Sequence, residues 1–194
     1  GRPTGSEACK RAEQWGLKKF REAGIDNARL ESFTVPNLWL GESAEATITS
    51  PASFAVRLAA APFTSSTKGV LEAAVVDAGD GSPEAFAKLG ATARGAILLI
   101  HSKEMRTFDD LFAEYMRNND VIEGVRKTGA AAVLLQSTRP RGLLYRHPLT
   151  GNGFIAPFPA AIVAREQAER IGRLAANGPV RMRLRLTNRI GGAY

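Results

Sequence analysis

The sequence has few of the residues from which catalytic and metal sites are usually built. It contains one cysteine, Cys9, and two histidines, His101 and His147, among 194 residues. A single cysteine cannot form an intramolecular disulfide or a zinc site made of cysteines, and its helical spacing from Ala12 favours a core position over a nucleophile. Neither histidine stands in a His-Glu-x-x-His or His-x-Asp arrangement. We therefore expect no metal or cofactor within these residues.

Other absences exclude further classes of function. The chain has no Gly-x-Ser-x-Gly elbow for a serine nucleophile. The glycine-rich stretch at residues 77–81 lacks both the dinucleotide fingerprint and the Gly-Lys-Ser/Thr ending of a phosphate loop, so we interpret it as a plain turn. No apolar run is long enough to span a bilayer, and no signal peptide is recognisable, so the compartment cannot be read from the N-terminus.

The charge balance is basic, with 26 Lys and Arg against 19 Asp and Glu and a formal net charge of +7. Clustered basic residues indicate nucleic-acid binding because they neutralise phosphates. Here most of the excess is scattered arginine, and aromatic residues make up only 7% of the chain. We favour a basic face that docks on an acidic partner, and a basic nucleic-acid-binding module stays open as an alternative.

Three apolar stretches predict the strands of a central sheet. The longest lies at residues 92–102 and contains an Ala-Ile-Leu-Leu-Ile run, and the others lie at residues 70–76 and 130–135. Uninterrupted apolar runs are typical of strands that are buried on both faces. Because helix-like segments separate the three stretches, the sequence predicts an α/β core.

Four segments predict helices, at residues 6–23, 82–89, 107–127 and 165–176. Ser6 and Ser82 are suitable N-caps for the first two. In the first helix, Ala8, Ala12, Trp15 and Phe20 mark an apolar face that we expect to be covered. The third helix is weakened at residues 118–120 and can be broken there. Its predicted core-facing stripe consists of Phe108, Leu111, Phe112, Tyr115, Met116, Ile122 and Val125.

Two further strands are predicted near the ends of the chain. Residues 44–50 and 180–186 alternate between apolar and polar side chains, as half-buried strands do. In the second of these, Arg181, Arg183 and Arg185 point outward. We interpret this stripe as exposed charge on an edge strand, with docking on an acidic surface as the alternative. A short strand is also expected at residues 160–163.

Residues 138–159 form the one long irregular stretch, because prolines and glycines recur throughout it. Loops of this length within compact domains are usually functional or mobile. His147 is expected to be exposed by its position in this loop and able to touch a substrate or partner domain. His101 ends the longest apolar stretch, where we expect a hydrogen-bonded residue at the rim of the sheet rather than a metal ligand.

The order of several motifs resembles that of a protease-associated domain. These motifs are Ala-Arg-Gly-Ala-Ile-Leu-Leu-Ile at residues 93–100, Gly-Ala-Ala-Ala-Val-Leu-Leu at 129–135 and Phe-Pro-Ala-Ala-Ile-Val-Ala-Arg-Glu-Gln-Ala-Glu-Arg at 158–170. The segment from Gly1 to Ser6 and the helix after it are similar to the start of co-catalytic zinc exopeptidases that carry such an insert. Pro36, Trp39 and His147, with their neighbours, are most similar to the carboxypeptidase Q branch. Ala96 departs from the lysine that the family commonly has after Arg-Gly.

The resemblance implies a swivelling β/β/α protease-associated fold with an extra N-terminal helix from the peptidase domain. Its implied boundaries are residues 1–50 for the first peptidase segment, 51–187 for the protease-associated domain and 188–194 for the return. The implied function is that of a noncatalytic accessory domain of a zinc aminopeptidase or carboxypeptidase, which shapes substrate access or protein contacts. The family's metal ligands and general base would lie beyond Tyr194, with two zinc ions expected in the parent peptidase domain.

The resemblance also implies partners and contact residues. The partners are the peptidase domain of the same chain, peptide substrates and a homodimer mate, with no nucleic acid or membrane, in a secreted or periplasmic parent. Within the long loop, Arg146, His147 and Thr150 are the predicted contacts with substrate or partner, because loops on a rigid scaffold supply contacts. Replacing Arg146 and His147 by alanine in the parent is expected to change substrate affinity more than stability. A self-contained small α/β hydrolase stays open as the other alternative.

Overall fold

The architecture is a curled mixed β-sheet with helices on both of its faces, as seen in a computed structural model that describes residues 3–151 and 153–194. The first two residues of the family-like N-terminal segment and Asn152 of the long loop therefore lie outside the described residues. The helices are α1 (Glu7–Glu22), α2 (Pro83–Leu89), α3 (Phe108–Thr128) and α4 (Arg165–Asn177), and one 3-10 turn lies at Gly90–Ala93. The strands are β1 (Trp39–Ser50), β2 (Phe54–Ala55), β3 (Leu58–Ala60), β4 (Thr64–Ser65), β5 (Leu71–Asp77), β6 (Ile97–Ile100), β7 (Ala132–Gln136), β8 (Ala156–Val163) and β9 (Val180–Ile190).

The sheet combines a parallel half with an antiparallel half. Its strand order is β2-β1-β9-β5-β6-β7-β8-β3, and β4 pairs with the start of β8. Strands β5 to β8 are parallel to one another, whereas β9 runs antiparallel to both β1 and β5. Because β3 lies against β1 although the two stand near opposite ends of the order, the sheet curls back on itself. The α/β prediction is confirmed.

The two central strands are buried on both faces, as the sequence predicted. Ile97 and Leu99 of β6 face the inside of the curl, where they join a core with α4 and β9. Leu98 and Ile100 face the other way and pack under α2 and α3. No side chain of β6 or β7 reaches solvent to a significant degree, because each face of these strands has its own hydrophobic layer.

The apolar stretch at residues 70–76 was wrongly predicted to be buried on both faces. In β5, Ala73 and Val75 are buried, but Glu72 and Ala74 between them are exposed, and Val70 precedes the strand on the surface. The reason is topological: β5 stands beside β9, whose outward side chains are arginines, so the outer face of β5 is open at Glu72 and Ala74 and is partly covered only at Val76.

Strand β9 alternates as predicted, but it is not an edge strand. It pairs with β1 along one side and with β5 along the other. On its exposed face, Nε of Arg183 donates to Oε1 of Glu72 at 2.8 Å, across the β5–β9 pair. The stripe of Arg181, Arg183 and Arg185 therefore lies on an exposed face of the sheet. The interpretation that these arginines protect an edge strand was wrong.

Helix α3 is continuous, and most of its predicted apolar stripe does not face the core: of the seven predicted residues only Val125 is buried, and Ile122 packs against the core while half-exposed. The buried face is formed by Asn118, Val121, Gly124 and Val125. Gly124 allows the ring of Phe86 to approach so closely that a Cβ there would lie 2.1 Å from a ring atom. Asn118 keeps its place in the helix because its amide donates to the carbonyl of Pro148 at 3.1 Å. An asparagine and a glycine thus share the packing face with two valines, so hydrophobic periodicity identifies only part of it.

Helix α1 forms as predicted but lacks cover. The Ser6 hydroxyl caps it by accepting from the Cys9 amide at 3.1 Å, and none of its residues is buried. Trp15 and Phe20 on its apolar face are exposed. Cys9 is half-buried, contrary to the predicted core position, and its thiol donates to Glu13. Within the described residues, the expected cover of this face is not found.

Strand β8 begins earlier than predicted, at Ala156 instead of residue 160. Pro157 and Pro159 therefore lie inside a strand, although proline cannot donate to a ladder. They are accommodated because this end of β8 pairs only with the two-residue β4, whereas the ladders to β7 and β3 start at residues 160 and 161. None of the four helices that the structure describes combines the length and apolarity needed to cross a bilayer.

Candidate functional site

A cluster of polar side chains lies at the carboxyl edge of β5, β6 and β7. A cavity of about 110 Å³ opens there between the strand ends and the first half of α3. We call it the edge cavity. The carboxyl edge of parallel strands is where ligands bind in many open α/β sheets, since strand ends and helix starts converge there. Its lining includes His101, Ser102, Lys103, Glu114, Arg117 and Arg146.

Asp77 and His101 form a hydrogen-bonded pair at this edge. Asp77 ends β5, His101 follows β6, and Oδ2 of Asp77 lies 3.0 Å from Nε2 of His101. The hydrogen bond to His101 lowers the pKa of Asp77, and the same bond raises the pKa of His101. Gly172 of α4 packs on the imidazole, where a Cβ would lie 3.0 Å from a ring carbon. The prediction of a hydrogen-bonded rim histidine is confirmed.

Ser102 connects the ends of β6 and β7 and is not activated as a nucleophile. Its amide donates to Oε1 of Gln136 at 2.9 Å, and its hydroxyl donates to the Gln136 carbonyl at 3.1 Å. The hydroxyl in turn accepts from Nη1 of Arg146. A nucleophilic serine needs a base that takes its proton. Among the described hydrogen bonds, the Ser102 hydroxyl donates to a backbone carbonyl and not to a base. The arrangement therefore holds the ends of β6 and β7 together.

A buried charge cluster holds the long loop on α3. The side chains of Glu114 and Arg146 are only 8% and 6% exposed, with Nε of Arg146 3.6 Å from Oε1 of Glu114. The same carboxylate accepts from the amide of His147 at 3.2 Å. Burial lowers the pKa of Arg146, since the desolvated guanidinium loses hydration. Glu114 therefore meets two successive loop residues and pins them against the helix.

The structure brings two of the three predicted contact residues together. Arg146 lies beneath the loop in the edge cavity, and His147 follows it beside Glu114. His147 is not exposed as expected: its side chain is 17% exposed, with its ring centroid 4.8 Å from that of Tyr115 and 5.3 Å from that of Tyr145. Thr150 lies apart and donates to the carbonyl of Phe154 within the loop. Their role as contacts stays a prediction. The burial of Arg146 against Glu114 goes against the expectation that its replacement affects substrate affinity more than stability.

Sequence reasoning missed the residues that organise this edge. Asp77 and Gln136 are the last residues of β5 and β7, and Glu114 lies on the half-buried side of α3. A polar residue that ends a predicted apolar strand could have indicated the first two. Glu114 has no comparable local indication, because its role comes from the loop that folds onto it.

The donor set at this edge does not fit a catalytic zinc site. Such a site takes three protein ligands and leaves one position for water. Across the part of the chain that the structure describes, no group of three or more His, Cys, Asp or Glu side chains is placed to hold a metal ion. The side chains of His101 and Asp77 satisfy each other instead.

Comparisons with known proteins find the fold but no sequence family. No protein-family model matches the chain, and no curated protein matches it. A peptidase M28 precursor from Shewanella amazonensis superimposes with a TM-score of 0.77 at 22% identity, covering 100% of this chain and 45% of that one. BSAP, a zinc aminopeptidase from Bacillus subtilis, gives 0.63 at 22% identity, with 99% and 40% covered. An aminopeptidase from Aneurinibacillus sp. gives 0.58 at 17% identity, with 99% and 42% covered.

These likenesses establish the fold of the whole described chain. The predicted fold class, a swivelling β/β/α domain with an extra N-terminal helix, is confirmed: the structure is a mixed α/β domain with a curled mixed sheet and four helices. The chain spans less than half the length of each of these solved structures.

The Asp77–His101 pair predicts a pH dependence with a defined sign. Because the folded-state pKa of His101 is raised above its ordinary value, its contribution to stability is complete below about pH 6.5 and is lost as the pH rises through the folded-state pKa. Asp77→Asn removes the charge but keeps an oxygen for the Gly79 amide, so we expect the pKa of His101 to fall. An NMR titration of the His101 ring, assigned with His101→Gln, measures it, and an unchanged pKa would show that Asp77 is not the cause.

The charge cluster predicts a large cost for removing one partner. Arg146→Met leaves the buried Glu114 carboxylate without its cation, and we expect a loss of about 3 kcal/mol in the free energy of unfolding, measured with urea. Adding Glu114→Leu should restore most of it, since an apolar pair needs no compensation. Lys103→Met, which removes an exposed charge at the same cavity, should change stability by less than about 0.5 kcal/mol. If Arg146→Met and Lys103→Met lowered the free energy of unfolding equally, Arg146 would not anchor the long loop on α3.

Proposed function

We propose that the chain is a noncatalytic protease-associated domain of a zinc-dependent exopeptidase, and that it shapes substrate access or protein contacts. The chain matches the solved peptidases over 98–100% of its own length but over only 40–45% of theirs. Those relatives carry the names peptidase M28 precursor and zinc aminopeptidase. A fragment that accounts for less than half of such an enzyme fits an accessory role.

The uncovered helix α1 is the observation that carries this proposal. It is amphipathic, yet none of its residues is buried, and Trp15 and Phe20 are exposed. A groove of about 490 Å³ lies between α1 and residues 25–30, with Leu17, Phe20 and Ile25 among its lining. An amphipathic surface helix normally buries its apolar side against another element. We propose that the peptidase domain covers this face.

The segment just before β1 runs beside the segment just after β9, which fits the proposal of two neighbouring junctions of an inserted domain. The amide of Val35 donates to the carbonyl of Tyr194 at 3.0 Å, and the amide of Leu38 donates to that of Gly192 at 3.1 Å. We propose peptidase, protease-associated and returning segments in the predicted order, residues 1–50, 51–187 and 188–194, with both boundaries moved to the ends of one strand pair. Because β1 pairs with β9 from Trp39 and Ile190 onward, we propose that the protease-associated segment begins before β1 and ends after β9.

The proposal places the chemistry elsewhere in the parent. Two zinc ions and their ligands would belong to the peptidase domain, because the donor set described here does not fit a zinc site. Peptides would be the substrates, with aminopeptidase or carboxypeptidase action, in a secreted or periplasmic enzyme. Arg146 and His147 would then act by holding the long loop in shape, and Thr150 by closing a turn within it.

An activity assay of the purified chain tests this proposal. We expect no release of amino acids from peptides with a free amino or a free carboxyl terminus, with or without added zinc, and no zinc retained after dialysis. The reason is that the described residues provide neither a third metal ligand nor an activated nucleophile. The parent enzyme containing this chain, assayed in parallel, should hydrolyse the same peptides. Turnover by the chain alone that follows its own elution profile and disappears with His101→Gln would identify a self-contained hydrolase and end the accessory interpretation.

A further inference from the structure

The edge cavity contains a buried arginine whose hydrogen bonds are incomplete. The side chain of Arg146 is only 6% exposed, and its Nη1 donates to the Ser102 hydroxyl and to the Gln136 carbonyl. Its buried Nε has no hydrogen-bond partner among the described residues. The ion-pair partner of Arg146, Oε1 of Glu114, lies 3.6 Å from this nitrogen, which is too far for a hydrogen bond. Buried donors normally have partners, so a guanidinium with a spare donor at a cavity points to a bound group.

Hydrogen-bonding capacity of both signs is left over around this guanidinium. Glu114 contacts Arg146 and the amide of His147 through Oε1, so its second carboxylate oxygen, Oε2, is available. Lys103 lines the same cavity, its side chain is exposed, and it forms no hydrogen bond or ion pair within the described residues. A molecule in the edge cavity therefore meets donors that carry positive charge and an acceptor that carries negative charge.

The charges around the edge cavity balance each other. The lining includes three carboxylates and three permanent cations, which are Asp80, Asp110 and Glu114 and Lys103, Arg117 and Arg146. His101 also lines the cavity, and its partner Asp77 supplies the opposite charge when the imidazole is protonated. A ligand with a net charge would leave one charge without compensation at a partly buried site, which is costly. A zwitterion adds one charge of each sign and preserves the balance.

We propose that the edge cavity binds the zwitterion of a small free amino acid, with its carboxylate on Arg146 and Lys103 and its ammonium group on Glu114. The carboxylate accepts from Nε of Arg146 and from Nζ of Lys103, and the ammonium group donates to Oε2 of Glu114. Hydrogen bonds between charged groups are shorter and stronger than those between neutral groups. They satisfy the spare donor and the spare acceptor of a cluster that is otherwise complete.

The size of the cavity selects the smallest amino acids. Its volume is about 110 Å³, and a cavity of about 150 Å³ holds a molecule of the size of benzene. Glycine and alanine fit this space, whereas leucine and phenylalanine do not. Met105 and Val121 line the cavity and are 5% and 1% exposed, so they offer an apolar wall to the methyl group of alanine. We therefore expect alanine to bind at least as tightly as glycine.

The ligand is defined by two adjacent charges, which distinguishes it from the end of a peptide. The terminal residue of a peptide carries an ammonium group or a carboxylate but not both, so it satisfies only one side of the cavity. The exopeptidase parent that we propose would release free amino acids and would thus be a source of the ligand. Binding itself is a property of this chain, so it can hold or fail independently of the proposed function.

A titration of the ¹⁵N-labelled chain with glycine and with L-alanine tests the proposal. We expect saturable shifts of the amide signals of Ser102, Glu114 and His147, with a Kd of about 1 mM, a reasonable strength for a ligand of so few atoms. N-acetylglycine, glycinamide and L-phenylalanine should produce no saturable shift of these signals. A chain that binds neither glycine nor alanine overturns the proposal. So does a chain that binds N-acetylglycine or glycinamide equally well, because one charge would then suffice.

Variants of the lining assign the binding to this cavity. Lys103→Met should weaken glycine binding about fivefold, since it removes one exposed charged partner, and Lys103→Arg should retain most of the affinity. Lys88→Met, which removes an exposed lysine of α2 outside the lining, is the matched control and should change nothing. The double variant Arg146→Met, Glu114→Leu, in which an apolar pair replaces the buried charges, should lose saturable binding while its amide spectrum stays that of a folded chain. Undiminished binding by the folded double variant would contradict the proposal, and so would equal effects of Lys103→Met and Lys88→Met.

Discussion

The structure depends on the burial of β6 and β7 from both sides. Their side chains alternate between two hydrophobic layers, one inside the curl of the sheet and one under α2 and α3. An apolar strand of this kind cannot form at an edge or on an open face, so the helices must lie on opposite sides of the parallel strands. This requirement leaves the antiparallel half of the sheet with one open face, where the arginines of β9 are solvated. It also brings the ends of β5, β6 and β7 together at one edge.

That edge is polar because strand ends leave backbone groups that need partners. Ser102 and Gln136 satisfy each other across the ends of β6 and β7, and Arg146 arrives from the long loop to join them. Glu114 then fixes the loop on α3 through a buried carboxylate. A buried pair of charges is costly to desolvate, and its value here lies in specifying one loop conformation. The long loop is therefore held in one conformation, as the accessory role that we propose would require.

Sequence reasoning was correct for elements that depend on neighbouring residues. It failed where an element depends on contacts with residues far away in the chain. The caps at Ser6 and Ser82 and the apolar runs of β6 and β7 are contained in a few neighbouring residues, and all were correct. Helix α3 was misjudged because its packing face uses Gly124 under Phe86, a contact between elements far apart in the chain. The long loop was recognised, and Arg146 was named in it. The partner that fixes Arg146 and the loop, Glu114, lies on α3 and is not adjacent in sequence. Pairings of this kind follow only from the fold.

The chain combines one buried core with one helix, α1, that has no buried residue and that we propose to be covered by a partner. Native-state hydrogen exchange of the isolated 194-residue chain tests it most directly. The amides of β6 and β7 should exchange only through global unfolding, because every one of their side chains is buried. The amides of α1 should exchange through local opening, at least about 100-fold faster, since none of its residues is buried. Protection of α1 equal to that of the central strands would contradict the account.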